Sequence, residues 1–323
     1  MYENMDFLSK TNIKYLKGMF AIFVLLHHCR AQMDILNETV IGMILTSMGY
    51  LSVGMFYFLS GYGLERQILI SKGKYIEKFL SKKIAPFYFI CVIMIFLYSG
   101  FKIILGIDFS NQQFINSFLF GETVVSNGWY LQSILIIYLV FYLVYKNFKK
   151  YNVFFILIFL IIYSFFTYFF IKKNIYFESV FCFEIGLLWA IHKEKIEKIF
   201  MIKKYYYFFL ITTFLLFAIT LIFGNIHFFN KTIMLILKMF SSVYFVIFFL
   251  ILIKKINISN KLTLYLGNIF LEIYIFQGFI LEILHSKVLY IKNDFIYLIL
   301  VIGMTIFVAR IVSPVFRIIQ NKV

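Results

Sequence analysis

The chain has 323 residues, of which 63% are hydrophobic, 22% aromatic and only 14% charged, with a mean hydropathy of +0.91 and a formal net charge of +16. So much apolar surface cannot be hidden inside a globule of this size, which excludes an ordinary water-soluble protein and a disordered chain. Repeated apolar runs of about twenty residues, with two prolines in the whole sequence, read as spanning helices; barrel strands would alternate over roughly ten residues. The predicted class is all-α, a polytopic transmembrane helical bundle forming a single domain over 1–323.

In chain order, the apolar runs between charge clusters predict about ten spans, at 13–29, 40–64, 84–105, 129–147, 153–171, 175–192, 205–223, 232–253, 263–285 and 295–316. The opening MYENMDFLSK carries acids among its few charges and is followed by no small-residue cleavage site, so the first helix is expected to stay in the protein. With the N-terminus placed in the cytoplasm, alternating loops put 22 basic residues on that side and 7 on the other. That asymmetry follows the positive-inside rule and predicts that both termini are cytoplasmic in a multi-pass protein of the plasma (inner) membrane. The positive charge is then an orientation device facing anionic membrane lipid, and no basic stripe on a soluble domain points to nucleic acid.

The longest loops, 65–83 and 106–128, are too short for a separate folded domain, so function is expected within or beside the bilayer. No internal repeat stands out. Cys29, Cys91 and Cys182 lie in apolar stretches without metal or redox spacing and read as buried structural thiols, with no metal expected.

Ionisable groups inside spans are costly and are the first functional suspects. In the first span, KYLKGMFAIFVLLHHCR, Lys17 and His28 are 11 residues apart. That is about three helical turns, so they share one face roughly 16 Å apart along the axis, whereas His27 points elsewhere. A buried histidine on a polar cavity can take a proton from a hydroxyl and return it; one near the interface can simply bond to backbone. Taken in isolation, Lys17 reads first as a snorkelling anchor.

The second span ends FYFLSGYGLER, where Ser60, Gly61 and Gly63 let backbones approach closely as the helix breaks at the membrane surface. The loop that follows, KGKYIEKFLSKKIAPFY, is the most basic stretch and suits either the phosphates of a nucleotide-like donor or anionic headgroups. Trp129 and Tyr130 open the fourth span in SNGWYLQSILIIYL, as an interfacial aromatic belt would. Glu184, Lys238, Glu272 and Arg310 are the remaining charges placed within spans, and some are expected to pair across helices.

Together these pieces resemble the acyltransferase 3 family, bacterial membrane proteins that move acyl groups, commonly acetyl, onto sugars and other cell-surface molecules. YLKGMFAIFVLLHH is similar to that family's opening helix, with Lys17 on its basic position and His28 on its histidine. FYFLSGYGL resembles its second-helix ending and KIAP, at 83–86, its basic-Ile-x-Pro start of the third helix. WYL at 129–131 fits a Trp-aromatic-Leu element, and LGNIFLEIYIFQ, at 266–277, is similar to a late helix ending Tyr-x-x-His. Lys17 replaces the usual arginine, exchanging a bidentate grip for a point-charge contact. Leu80 stands where a second basic residue is often found, and Asn127 and Gln277 stand where many members have histidine.

The resemblance implies acyl-CoA, commonly acetyl-CoA, bound as co-substrate from the cytoplasm with no resident cofactor. The acceptor it implies is a surface glycan or lipid-linked saccharide. It assigns His28 as base and Lys17, Lys82 and Lys83 as donor-side cations, with Ser60, Tyr62, Trp129 and Tyr130 as binding residues. With no appended hydrolase domain in the sequence, transfer falls to the membrane part, directly or with a separate partner. A transporter or flippase of a glycan precursor or small anionic solute would use the same polar cavity without covalent chemistry, and a non-catalytic partner in surface-polymer assembly would use the same fold.

Overall fold

A computed structural model describes residues 7–33, 39–119, 121–148, 151–225, 229–286 and 289–322. The acids of the opening segment, Lys149, Lys150 and Lys287 of the charge pattern, and the side chain of Lys322 lie outside the described residues. Among the described residues the structure is helical, with no strand beyond an isolated bridge between His285 and Tyr290. The helices are α1 (Lys10–Arg30), α2 (Val40–Ser71), α3 (Ala85–Ile104), α4 (Asn111–Phe118), α5 (Trp129–Asn147), α6 (Asn152–Phe166) and α7 (Cys182–Ile191). They continue with α8 (Lys193–Met201), α9 (Lys203–Asn225), α10 (Lys231–Ile253), α11 (Lys261–Asn268), α12 (Phe270–Leu284) and α13 (Asp294–Lys322).

Seven of the described helical segments are long and apolar enough to cross a bilayer, or eight when α11 and α12, bent by 77° at Ile269, count as one span. Each of the ten predicted spans coincides with a helix or helix pair. The two outside the count of eight differ for simple reasons. Helix α1 carries Lys10, Lys14, Lys17 and Arg30, and α7 has ten residues, about half the length of a crossing. These helices are the response of the backbone to an environment without water, where every N–H and C=O must bond within its own segment.

Contacts divide the chain into two compact units, Met1–Phe20 with Tyr50–Tyr75 and Phe148–Leu264, and Ala21–Gly49 with Ile76–Asn147 and Tyr265–Val323. Helices α1 and α2 each contribute to both.

The first unit is built on a close crossing of α2 and α7. A methyl group at Gly61 would lie 2.2 Å from the Phe183 carbonyl oxygen, and one at Gly186 would lie 2.3 Å from that of Phe58. The two glycines therefore let the backbones touch, and Tyr62 stacks on Phe58 beside them. Gly63 meets nothing within 4 Å, and α2 does not break there: it runs on to Ser71 and ends at Lys72 and Gly73, both with positive φ. The expected break is absent because Leu64, buried at 4% exposure, and Glu65, at 5%, carry the packed face past the glycines.

Helices α9 and α10 form an antiparallel pair in the same unit, with the Phe217 ring against Phe245 and Phe248. Ile211, Leu215 and Ile219 stay exposed on α9, a face suited to lipid. Lys238, predicted to sit within a span, pairs with Glu178 at 3.8 Å. The segment before α7 is fixed by Ser179 Oγ donating to the Tyr50 carbonyl at 2.6 Å and Ser242 Oγ donating to that of Glu178 at 2.9 Å.

Gly61→Ala is expected to destabilise the protein by about 3 kcal/mol, the upper end of overpacking costs, because the new atom meets backbone. Gly63→Ala should stay within about 0.5 kcal/mol of the parent. Thermal unfolding in detergent of the two variants separates them, and equal effects would contradict the α2–α7 crossing.

Candidate functional site

The second unit contains a cavity of about 550 Å³, whose wall includes His28, Ser126, Asn127, Glu282 and His285. Four segments supply it: the end of α1, residues 105–107 after α3, residues 126–127 before α5, and the last two turns of α12.

The rotation of α1 decides which histidine faces this space. Leu25, Cys29 and Met33, spaced four apart, pack with Ile280, Leu281 and Leu284 of α12 and with Tyr297 and Val301 of α13. With that stripe buried, the neighbouring position, His28, lines the cavity, and among the described residues no hydrogen bond engages its ring. His27 is turned toward α2. Its Nδ1 lies 3.2 Å from the Leu45 carbonyl, and Gly49 leaves room for the ring, since a Cβ there would fall 2.5 Å from Nε2. The structural histidine and the cavity histidine are thus adjacent in sequence and separated by one helical step of about 100°.

Residues 126–127 are held by a chain of polar contacts. Ser110 caps α4 in a reciprocal box with Gln113. Ser117 Oγ then accepts from the Val124 amide at 2.8 Å, and Tyr274 Oη donates to the Asn127 carbonyl at 2.8 Å. Asn127 itself has φ of 60°, a left-handed conformation that asparagine tolerates. On the helix side, Gly278 permits the contact: a Cβ there would lie 2.7 Å from the Ser126 carbonyl oxygen. Tyr98 Oη donates to the Ile275 carbonyl at 2.7 Å, tying α3 to α12 beside it.

At the centre of this arrangement Ser126 Oγ donates a hydrogen bond to Glu282 Oε1, and Lys102 Nζ lies 3.0 Å from the same oxygen. A carboxylate, an ammonium and a hydroxyl thus meet beside His28. The other carboxylate oxygen, Oε2, is buried with no hydrogen-bond partner among the described residues. Next along the wall, His285 packs edge-on to Tyr290 and Tyr297. Chemically, the cavity offers a weakly held imidazole as proton acceptor and a fixed, charge-balanced carboxylate with hydroxyl and amide groups nearby to hold a polar ligand.

Of the sequence-predicted residues, only His28 lines this cavity. Trp129 and Tyr130 begin α5 immediately after its 126–127 wall, and Tyr130 packs on Tyr274, 5.3 Å between ring centres. Lys82 and Lys83 sit in the second unit on a π-helical segment, Leu80–Ile84, that leads into α3; Lys82 is exposed, and Lys83 Nζ lies 5.5 Å from the Tyr138 ring centre. Lys17, half-buried, Ser60, half-buried, and Tyr62, buried, belong to the first unit. Ser126, Lys102 and Glu282 were not singled out from the sequence. Glu282 carried a usable signal, an acid inside the predicted 263–285 span, and Ser126 lay in the quoted SNGWY stretch. Among the described residues no group of three or more His, Cys, Asp or Glu side chains converges as a metal site requires.

Helices long and apolar enough to cross a membrane, with an open cavity carrying polar groups in the second unit, define a multi-pass membrane protein with a ligand-sized site. The model of the acyltransferase 3 family, described as an acyltransferase domain, matches residues 10–313, and the chain belongs to that family. No curated protein and no solved structure gives a significant match.

Lys102→Met removes the partner of a partly buried carboxylate and is expected to cost about 2 kcal/mol, whereas Lys102→Met combined with Glu282→Gln recovers most of that loss. A double-mutant cycle on thermal unfolding checks the pair; additive effects would mean that the two groups do not interact.

Proposed function

We propose that this protein transfers an acyl group, acetyl being the expected one, from cytoplasmic acyl-CoA to a hydroxyl of a cell-surface or lipid-linked saccharide. The observation that carries this reading is the 550 Å³ polar cavity with His28 in its wall, in a chain of an acyltransferase family. That volume falls in the ordinary range for small-molecule sites.

Helices α1 and α7 complete ten crossings in this reading, and the excess of basic residues on one set of loops puts both termini in the cytoplasm of a bacterial cell. All four cavity segments then fall on the outer side: the α1 end, the turn after α3, the start of α5 and the α12 end. The cavity suits the acceptor, and Lys82 and Lys83 of the basic 66–83 stretch suit the donor's phosphates.

The chemistry balances without a resident cofactor. His28 takes the proton of the acceptor hydroxyl as its oxygen attacks the thioester carbonyl; the new C–O bond forms, the C–S bond breaks, and coenzyme A leaves as the thiol with a proton returned by the imidazolium. Glu282, fixed by Lys102 and Ser126, orients the acceptor's hydroxyls from the same wall. A transporter or flippase is the second reading, and the 77° break between α11 and α12 favours it, since discontinuous helices often line transport sites.

Membranes carrying the protein, His28→Ala or neither, at matched protein levels, are incubated with radiolabelled acetyl-CoA and envelope glycans. Label should enter glycan only with the parent protein, and His28→Ala should lower the rate by roughly 10²- to 10⁴-fold. Full activity in the variant removes His28 from the mechanism, and glycan movement without label moves the function to transport.

A further inference from the structure

The cavity follows α12 from His285 down to Gly278 and stops there. The next residue inward is Gln277, midway along α12 and roughly 10 Å from either end. Its side chain has no exposure, and among the described residues neither Nε2 nor Oε1 has a hydrogen-bond partner. A second buried amide in the same unit behaves in the ordinary way: Gln132, 7% exposed, donates from Nε2 to the Asn116 carbonyl at 2.8 Å. Leaving both ends of a fully buried amide unmade is costly and rare, so Gln277 calls for a ligand.

The chemistry of the two vacant ends restricts what that ligand is. Nε2 requires an acceptor and Oε1 requires a donor. A phosphate or carboxylate satisfies only Nε2. A trans secondary amide turns its own N–H and C=O to opposite sides, so a single amide serves one end of Gln277 at a time. A flexible chain carrying two successive amides joined by two methylenes serves both, because a gauche turn of that spacer brings the N–H of one and the C=O of the other to one edge.

The geometry points to Gln277 as the inner end of the binding site, where it grips the paired amides of the pantetheine arm of the acyl donor. This rests on the acyl-CoA reading above and adds the residue that holds the donor's arm. The nearer amide of that arm is only a few bonds from the thioester, so an arm held at Gln277 leaves the thioester at the inner end of the cavity, whose wall carries His28. Gln277 is then a binding residue; the proton chemistry stays with His28.

Equilibrium binding of coenzyme A, pantetheine, adenosine 3′,5′-bisphosphate and an N-acetylhexosamine to the purified parent protein and to Gln277→Leu tests the assignment. Gln277→Leu should weaken coenzyme A and pantetheine at least tenfold, leave the amide-free nucleotide unchanged, and keep or raise the unfolding temperature, because it removes an unsatisfied buried amide. Should Gln277→Leu fail to fold, Gln277→Asn, which keeps an amide but shortens its reach, is expected to show the same selective loss. Unchanged pantetheine binding in a folded variant overturns the proposal. A loss confined to N-acetylhexosamine, with coenzyme A binding intact, also overturns it and moves Gln277 to the acceptor side. Parent protein that binds coenzyme A through Gln277 but transfers no acyl group overturns the proposed reaction alone, and parent protein that binds no coenzyme A overturns both.

Discussion

Hydrocarbon offers the backbone no hydrogen bonds, and the described structure follows from that constraint. Long helices satisfy it without help. Each departure from a regular helix must bring its own partners, and those partners are polar side chains that the membrane would otherwise exclude. The 105–128 connection shows the consequence: Ser110, Ser117 and Tyr274 serve backbone groups of α4 or the loop, and the ordered loop in turn presents Ser126 and Asn127 to the cavity. The irregular backbone and the polar site are therefore one feature. Gly278 completes it by letting loop and helix touch.

Charges within the helices obey the same economy, and their pairing separates scaffold from site. Lys238 is matched to Glu178, and Arg310 places its guanidinium 5.9 Å from the Tyr265 ring centre. Both arrangements occupy the cation with a partner from another element, which is what a stable membrane bundle requires. Glu282 is also matched, to Lys102, yet keeps one carboxylate oxygen without a partner and lies on a cavity wall. Gln277 has no partner at either end. On α12 these two incompletely satisfied groups are five residues apart, and a buried group without a partner is where a ligand can supply what the fold omits.

Much of the fold was legible because its signals are local. Apolar runs of the right length located helices at all ten predicted positions, and the 11-residue interval from Lys17 to His28 distinguished His28 from His27 before any packing was known. In the structure the Leu25, Cys29 and Met33 stripe fixes the helix's rotation, which puts His28 on the cavity wall and His27 against α2. Local signals failed where neighbours had to be known. Gly61 and Gly63 look alike in sequence, but only Gly61 faces a carbonyl of α7, so only one of them is a packing residue. Lys102 and Ser126 were not singled out, because the partner that gives each its place comes from another element.

By itself the sequence determined the helical membrane class, the positions of the helices and the family to which the chain belongs, and it offered His28 as a candidate. These depend on hydropathy, spacing and motif order, all carried by residues close together in the chain. Only the tertiary structure decided which groups surround that histidine. Ser126 and Glu282 are 156 residues apart, and Lys102 comes from a third element. Their meeting depends on how α3, the 126–127 segment and α12 pack, and no periodicity within one helix encodes the side chains that another helix will present to it.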